Sequence, residues 1–363
     1  TQALGMALNA HLGNNGKTVS YIESPVRGWS GLRAGRTALV EAMNAGEVET
    51  LLMLGTNPVY DFPAELGFEA ALKNVANSVH ADTMYNETGY VSRWHLPMSH
   101  FLESWLDGRS HEGTASVAQP LIAPIYNTRS LTDLLAPVSL QEAKNGYAAV
   151  QTFWKDNGDF EAFDKGWRRV LHDGFVKGTA FEALNVTLNA EVHSGFSAVP
   201  PALGKDNLEV VFRPDPTIHD GRYANNAWLQ ETPKPVSTLT WDNAVMMSPT
   251  TAQAFGFVPK GDEVLNREHR WPKNPEVVVT TTGSAGQPQT VKGSVLVVPG
   301  LADFSLTLYV GYGRERGGKV SDGTGFDAGK VRVNNGASIV LNATIVPAGS
   351  EGQLALTQDH HSM

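Results

Sequence analysis

Residues 50–58, with the sequence TLLMLGTNP, decide the predicted fold. The first five residues are mainly apolar and have the length of a buried strand, and Gly55, Asn57 and Pro58 then favour a turn. Ligands of open parallel sheets bind beyond the carboxyl ends of the strands, where glycine permits close backbone approach. Thr56 and Asn57 offer hydrogen-bonding groups at such a position. Gly55, Thr56 and Asn57 therefore form either a ligand-facing loop or a vestigial turn, and of the two we favour the vestigial turn.

Helix and strand patterns alternate on both sides of this loop. Helices are predicted over residues 4–12, 31–45 and 68–75, and short strands over residues 18–22 and 78–81. Strand–turn–helix repeats of this length indicate a parallel sheet with helices on both faces. Two amphipathic helices are predicted within residues 148–171, and a strand over residues 208–212.

The composition changes after a linker-like stretch, ETPKP, at residues 231–235. Short strands separated by Gly, Pro and Asn follow, over residues 276–282, 294–298, 306–310 and 338–345. One helix is predicted among them, starting at Ser248–Pro249, a cap residue followed by proline. We predict an α/β domain over residues 1–235 and a small β-barrel domain over residues 236–363.

Composition excludes several classes of function. The 363 residues are 41% hydrophobic and 18% charged, which is typical of a globular chain of about two domains. No apolar run reaches the ~18 residues of a membrane helix. The net charge of −9 and the lack of a basic patch argue against nucleic-acid binding. The absence of cysteine excludes disulfides, thiolate metal ligands and cysteine nucleophiles.

Histidines close together in sequence raise the possibility of a metal site. His95, His100 and His111 supply imidazoles, and Glu103 or Asp107 supplies a carboxylate. The spacings fit no single helix face, and a proline interrupts the segment. We therefore predict hydrogen-bonded structural histidines and no metal site.

Other polar and aromatic residues have two interpretations each. In the loop GYGRERGG of residues 311–318, Arg314 can bind a phosphate bidentately, but we favour a solvated hairpin or a partner-docking loop. Asp82 can accept hydrogen bonds from a ligand, or it can cap the following turn. Trp105, Trp228 and Trp241 are predicted to be core or interface anchors.

Three groups of motifs, in this order, resemble the molybdopterin oxidoreductases of the DMSO reductase superfamily. They are LGTNP at 54–58; DTMYNET at 82–88 with HLP at 95–97 and ESW at 103–105; and SPTTA at 248–252 with GFDA at 325–328. The resemblance implies an α/β fold in which a Rossmann-like parallel-sheet domain precedes a double-psi β-barrel domain. It also implies a molybdopterin guanine dinucleotide site formed by Gly55, Thr56, Asn57, Asp82, Glu87, Arg314 and Asp327.

Longer stretches resemble the molybdopterin-type subunit of alternative complex III. They are HLPMSHFLESW at 95–105, DGRYANNAWLQE at 220–231 and WDN at 241–243. This resemblance implies a peripheral position on the periplasmic side of the bacterial inner membrane. It implies as partners iron–sulfur and multihaem cytochrome c subunits and integral membrane quinol-binding subunits. In this family the N-terminal and ferredoxin-like regions would hold the iron–sulfur clusters. Because this chain has no cysteine to bind such a cluster, we expect a fragment that lacks those regions.

The resemblance leads to two main expectations about function. The first is a cofactor-free structural scaffold within a quinol-oxidising respiratory complex, with no catalytic residue and a vestigial cofactor site, while partner domains transfer electrons. The alternative is a fragment of an active molybdopterin oxidoreductase that binds bis-molybdopterin guanine dinucleotide. A free-standing ligand-binding protein is a third possibility.

Overall fold

The predicted buried strand forms β1 (Thr50–Leu54) in a computed structural model of the chain. It pairs in parallel with β2 (Asn77–Asp82), with Leu54 opposite Ala81. β3 (Trp94–Pro97) completes a sheet in the order β1–β2–β3. The parallel pairing confirms the predicted mixed α/β arrangement, in which the carboxyl ends of β1 and β2 lie at the same edge of the sheet.

The chain divides into two units that do not follow the predicted boundary after residue 235. The structure describes residues 2–26, 32–137, 145–187, 189, 202–257, 274–334 and 338–357. The first unit comprises Thr1–Ser30 and Pro97–Pro201, and the second comprises Gly31–Leu96 and Ala202–Met363. The division differs from the prediction because the parallel sheet and the barrel belong to one unit, while the helices between them in sequence belong to the other.

Helices of the second unit cover the parallel sheet. α2 (Leu32–Asn44) and α4 (Phe68–Leu72) bury an apolar face against β1, and their core includes the fully buried Met43. Burying such a side chain stabilises the folded state by about 1.5–3 kcal/mol. The short helices α3 (Pro58–Asp61) and α5 (Glu87–Val91) follow β1 and β2, and therefore line the carboxyl edge of the sheet.

A closed six-stranded barrel forms the rest of the core of the second unit, as the short strands predict. Its strands are β7 (Leu208–Pro214), β9 (Val245–Met247), β10 (Asn274–Thr282), β11 (Pro288–Val297), β12 (Ser305–Val310) and β13 (Ile339–Gly352). Around the barrel they follow the order β10–β11–β9–β12–β7–β13. β7 precedes the predicted barrel domain in sequence, yet it closes the barrel by pairing in parallel with β12 and antiparallel with β13.

Smaller elements complete the second unit. α9 (Ala227–Glu231) follows β7, and β8 (Leu239–Thr240) pairs with β14 (Ala355–Leu356). α10 (Pro249–Ala254) begins as predicted, because the Ser248 side chain accepts a hydrogen bond from the Thr251 backbone and proline occupies the first helical position.

The first unit combines a small antiparallel sheet with helices. β4 (Leu106–Arg109), β5 (Ala115–Ala118) and β6 (Phe175–Val176) form the sheet, and α1 (Gln2–His11), α6 (Leu131–Leu135), α7 (Gly146–Asn157) and α8 (Phe163–Asp173) are its helices. Trp154 and Trp167 are buried against β5, and Trp105 packs on the same core, as predicted. The strand predicted over residues 18–22 is replaced by isolated bridges at Val19 and Tyr21. Among the described residues, no helix has both the length and the apolar character that a membrane crossing requires.

Candidate functional site

A cavity of about 600 Å³ opens beyond the carboxyl ends of β1 and β2, entirely within the second unit. We call it the strand-end cavity. Its walls come from the loop after β1, the turn after β2, the segment before α9 and the loop after β12. Its lining includes Gly55, Thr56, Asn57, Asp61, Asp82, Asp220, Gly221, Arg222, Tyr223, Trp228 and Arg314.

The strand-end loop, residues 55–57, takes its shape from local backbone requirements. Gly55 has a φ of +63°, a conformation that glycine adopts without steric cost, and its N–H donates to the Ala81 carbonyl at 2.7 Å. Pro58 then starts α3, where its missing N–H is not needed. The loop therefore turns sharply away from the sheet at the point where the sequence predicts it.

Five of the seven predicted binding residues line the strand-end cavity: Gly55, Thr56, Asn57, Asp82 and Arg314. Glu87 is hydrogen-bonded to Arg314 and Asn57 behind its wall. Asp327 lines a separate cavity of about 380 Å³ beside the barrel, which Arg314 also borders. That these residues contact a cofactor stays a prediction.

Glu87 and Arg314 form a buried ion pair, so the predicted solvated hairpin is wrong for Arg314. Their side chains are 11% and 7% exposed, and Arg314 Nε and Nη2 donate to the two carboxylate oxygens at 2.9 and 2.7 Å. The backbone N–H groups of Glu315 and Arg316 also donate to Glu87, each at 3.0 Å. Burial works against ionisation of Glu87, yet the hydrogen bonds from Arg314 and Asn57 lower its pKa to about 2.

Asn57 belongs to the same network, and both ends of its amide are hydrogen-bonded within the chain. Its Nδ2 donates to Glu87 at 2.8 Å, and its Oδ1 accepts from the Thr88 backbone and hydroxyl at 3.1 and 2.6 Å. The side chain therefore joins the strand-end loop to α5. Asn57 contributes to the cavity mainly by holding the loop in place.

Two loops approach closely enough to require glycine at the base of the cavity. Gly221 has a φ of +96°, and a Cβ added there would lie 2.9 Å from the Gly311 carbonyl oxygen. Gly311 has a φ of +107°, and its added Cβ would lie 2.8 Å from the Gly221 nitrogen. This contact places the Gly221 carbonyl where Arg314 Nη1 donates to it at 2.8 Å.

Asp82 performs the capping role predicted as one of its two interpretations. Its Oδ1 accepts from the Thr83 hydroxyl at 3.2 Å and the Met84 backbone at 3.4 Å, and its Oδ2 accepts from Asn86 at 3.1 Å. A carboxylate offers about four acceptor positions. Asp82 therefore stabilises the turn after β2 and keeps acceptor capacity at the cavity.

Two further carboxylates, which were not among the predicted binding residues, also line the cavity. Burial and the charge of Asp220 raise the pKa of Asp61 to about 6. Burial opposes ionisation of Asp220, but hydrogen bonds from Arg222 and His219 hold its pKa below the usual value. Arg222 Nε and Nη2 donate to Asp220 Oδ1 and Oδ2 at 2.9 and 2.6 Å. The sequence did not indicate that Asp61 and Asp220 lie near each other, because they come from distant segments of the chain.

Exposed aromatic side chains form another part of the lining. Trp228 is 82% exposed and Tyr223 is 52% exposed. Trp228 is therefore not a core residue, and its other predicted role, that of an interface anchor, stays a prediction. A tryptophan face that remains in water at a cavity can stack on a planar ligand.

The histidines do not gather as the metal hypothesis required. His95 contacts His80 of β2, a residue that the sequence analysis did not select. His100 caps the turn of residues 101–103 together with Glu103. Within the part of the chain that the structure describes, no three metal-ligating side chains converge.

Comparisons with known proteins give one local sequence similarity and one fold similarity. No protein-family model matches the chain. An 86-residue segment, 24% of the chain, is 36% identical to the thiosulfate reductase molybdopterin-containing subunit PhsA of Salmonella typhimurium, and covers 9% of that protein. The fold is similar to acetylene hydratase from Pelobacter acetylenicus, with a TM-score of 0.50 and 13% identity over 85% of this chain. The chain spans 46% of that structure.

The matched segment agrees with the resemblance that the sequence motifs indicate. Neither similarity supports the narrower assignment to alternative complex III. The sequence similarity is thus to a segment of a molybdopterin-containing subunit, and the likeness to acetylene hydratase shows a shared fold.

Proposed function

We propose that this chain is part of a molybdopterin oxidoreductase, and that the strand-end cavity holds the nucleoside end of a molybdopterin guanine dinucleotide. The observation that carries the proposal is the position of the cavity beyond parallel strands, with carboxylates and exposed aromatic rings in its lining. This is the alternative function of the sequence analysis. The local similarity to a molybdopterin-containing subunit favours it over a cofactor-free scaffold.

The donor and acceptor set of the cavity fits a guanine nucleoside. Guanine N–H groups and ribose hydroxyls need acceptors, and Asp82 accepts three hydrogen bonds of about four that a carboxylate can accept. Asp61 and Asp220 add further oxygens at the cavity. Trp228 and Tyr223 present exposed ring faces on which a base can stack.

The cations of the cavity are largely neutralised by the chain itself. Arg314 is paired with Glu87, and Arg222 holds Asp220 through Nε and Nη2, which leaves Arg222 Nη1 outside that ion pair. A pyrophosphate is best bound by cations that have no competing carboxylate. We therefore propose that Arg222 contacts the ligand only through Nη1, that Asp82 and Trp228 are further direct contacts, and that Arg314, Glu87 and Asn57 have a supporting role.

We also propose that the closed barrel is of the double-psi type. Its six strands combine parallel pairs, β7 with β12 and β9 with β11, with antiparallel pairs. Asp327, at a loop of this barrel, is proposed as a cofactor-facing residue of the smaller cavity. Burial raises its pKa to about 6, so at pH 7 the carboxyl is mainly ionised and acts as a hydrogen-bond acceptor.

A bound molybdopterin supplies the metal centre at which electrons are transferred. The residues of this chain bind and orient the nucleotide end, and the Glu87–Arg314 ion pair keeps the loop after β12 beside the strand-end loop. Association with iron–sulfur, multihaem cytochrome c and membrane quinol-binding subunits, and a periplasmic location, remain proposals that rest on the sequence resemblance.

Metal analysis of the protein tests the main proposal. The protein is purified from its native host with any flanking sequence intact, and molybdenum and tungsten are quantified. Stoichiometric molybdenum or tungsten supports the proposal. A folded protein without either metal would instead favour the cofactor-free scaffold.

Calorimetry with GMP tests the strand-end cavity in the chain itself. Trp228→Ala is expected to weaken binding by about 1–3 kcal/mol, the range for loss of one base–aromatic stack. Phe101→Ala is the matched control, because Phe101 is an exposed aromatic residue (61%) of the first unit. Equal GMP affinity in the wild type and the Trp228 variant would contradict the assignment.

A further inference from the structure

Two histidines connect the strand-end loop to the sheet behind it. His80 of β2 is fully buried, and its Nδ1 lies 2.9 Å from Nδ1 of His95 in β3. On the other side of its ring, His80 Nε2 lies 3.0 Å from the carbonyl oxygen of Thr56. Both ring nitrogens of a buried imidazole therefore have a partner, and one partner belongs to the strand-end loop.

These two contacts determine which nitrogens carry protons. A carbonyl oxygen only accepts, so His80 Nε2 must donate to Thr56. In a neutral imidazole the other nitrogen is then an acceptor, so His80 Nδ1 must accept from His95. His95 must therefore carry its proton on Nδ1. The opposite tautomer of His80 would direct a lone pair at the Thr56 carbonyl.

The surrounding helix and turn hold the two rings together. A Cβ added to Gly89 of α5 would lie 2.9 Å from His80 Nδ1 and 3.0 Å from His95 Nδ1. The Tyr85 ring meets His95 edge-on, with 5.0 Å between ring centroids. α5 also carries Thr88, which holds Asn57, so the same small region supports two adjacent residues of the loop.

We propose that His80 and His95 are positioning residues of the strand-end loop: His95 selects the tautomer in which His80 holds the Thr56 carbonyl. The role resembles that of a partner that fixes the tautomer of a functional histidine by binding its second nitrogen. The consequence for ligand affinity rests on the proposed function, but the tautomers and the loop anchoring do not.

Protonation of the pair has a defined order. The first added proton goes to His95 Nε2 and preserves the bond between the two Nδ1 atoms. A second proton would have to occupy His80 Nδ1, where two N–H groups would then face each other, so the bond breaks. Asp82 is the carboxylate facing the pair in the described residues, 3.8 Å from His80 Nε2, and Tyr85 is the other titratable neighbour.

Burial lowers the pKa of both histidines, and for His95 the proximity of His80 lowers it further. The pair is therefore neutral at pH 7. Because the unfolded chain takes up protons more readily than this pair, stability falls as the pH drops below about 6.5.

Nitrogen-15 NMR of the imidazoles in the wild-type chain, without any ligand, tests the tautomer assignment at pH 7.5. The expected result is a protonated Nε2 and an unprotonated Nδ1 for His80, and the reverse for His95. A protonated Nδ1 on His80, or an unprotonated Nδ1 on His95, would overturn the proposal. This measurement is independent of any nucleotide binding, so it separates the proposal from the proposed function.

Hydrogen exchange in two nearly isosteric variants tests the anchoring of the loop. His95→Asn keeps an N–H donor near the position of Nδ1, whereas His95→Leu removes it. The Gly55 amide, which donates to Ala81, is expected to exchange about tenfold faster in His95→Leu, the equivalent of one ordinary hydrogen bond, and at the wild-type rate in His95→Asn. Equal Gly55 protection in the two variants would refute the role of His95, whether or not GMP binds.

Discussion

Replacing Glu87 by glutamine tests whether the buried ion pair holds the second unit together. Glu87 accepts five hydrogen bonds: two from the Arg314 guanidinium, one from Asn57, and two from the backbone of Glu315 and Arg316. Glutamine has almost the same shape, but it has no charge and presents a donor where an acceptor is needed. The change therefore leaves the Arg314 guanidinium buried without its counter-charge.

The expected loss in the free energy of unfolding follows from the pKa of Glu87 and from the typical cost of breaking a buried ion pair. The pKa of Glu87 falls from its ordinary 4.5 to about 2, a difference of about 2.5 units, which corresponds to about 3 kcal/mol at 1.36 kcal/mol per unit. Removing one partner of a buried ion pair typically costs about 3–5 kcal/mol. We therefore expect Glu87→Gln to lower the free energy of unfolding by about 3–5 kcal/mol at pH 7.

Urea unfolding at several pH values measures this effect. Because the folded state lowers the pKa of Glu87, its stabilisation is complete above the unfolded pKa near 4.5 and is lost as the pH falls towards 2. The difference between wild type and variant should therefore shrink from pH 5 to pH 2. The slope of free energy against urea concentration should remain constant, so that the midpoint reports stability.

A matched control separates the buried pair from an ordinary charge change. Glu69→Gln removes the same charge from an exposed pair with Lys73, at 3.8 Å on the surface of α4, and should have almost no effect. If Glu87→Gln lowered the free energy of unfolding by less than about 1 kcal/mol, or by no more than the control, the ion pair would not stabilise the second unit.

Three further substitutions, the first of them with a control variant, have distinct expected outcomes. Gly313→Ala should lower the free energy of unfolding in urea by more than about 2 kcal/mol, because Gly313 has a φ of +69° and the added Cβ would collide with the Asp327 backbone. The control Gly286→Ala, where φ is +86° and the added Cβ meets open space, should lower it by only about 1–2 kcal/mol. Asp61→Asn should stabilise the chain by about 1–3 kcal/mol at pH 7 and by little at pH 3.5, because an acid whose pKa is raised to about 6 destabilises the folded state only while it is ionised. Ser248→Ala should cost about 1–2 kcal/mol by removing the cap of α10, and a neutral result would argue against that cap.

Local features of the sequence predicted much of the fold because their causes are local. The apolar run of β1, the glycine and proline of the strand-end loop, and the cap of α10 each depend on a few consecutive residues. The barrel strands were predicted from their spacing, but β7 was assigned to the wrong domain. Its pairing partners in β12 and β13 lie about 96–135 residues later in the chain, and no local pattern reveals such a choice.

The sequence alone determined where the candidate cavity begins, since Gly55 and Pro58 can form that turn whatever surrounds them. Only the tertiary structure decided what the neighbouring side chains do. It paired Arg314 with Glu87 across 227 residues of sequence, placed His80 against His95, and left Trp228 exposed at the cavity. Charge pairing, tautomer and exposure depend on which distant segments converge, because hydrogen bonds and desolvation act through space over a few ångströms, regardless of separation along the chain.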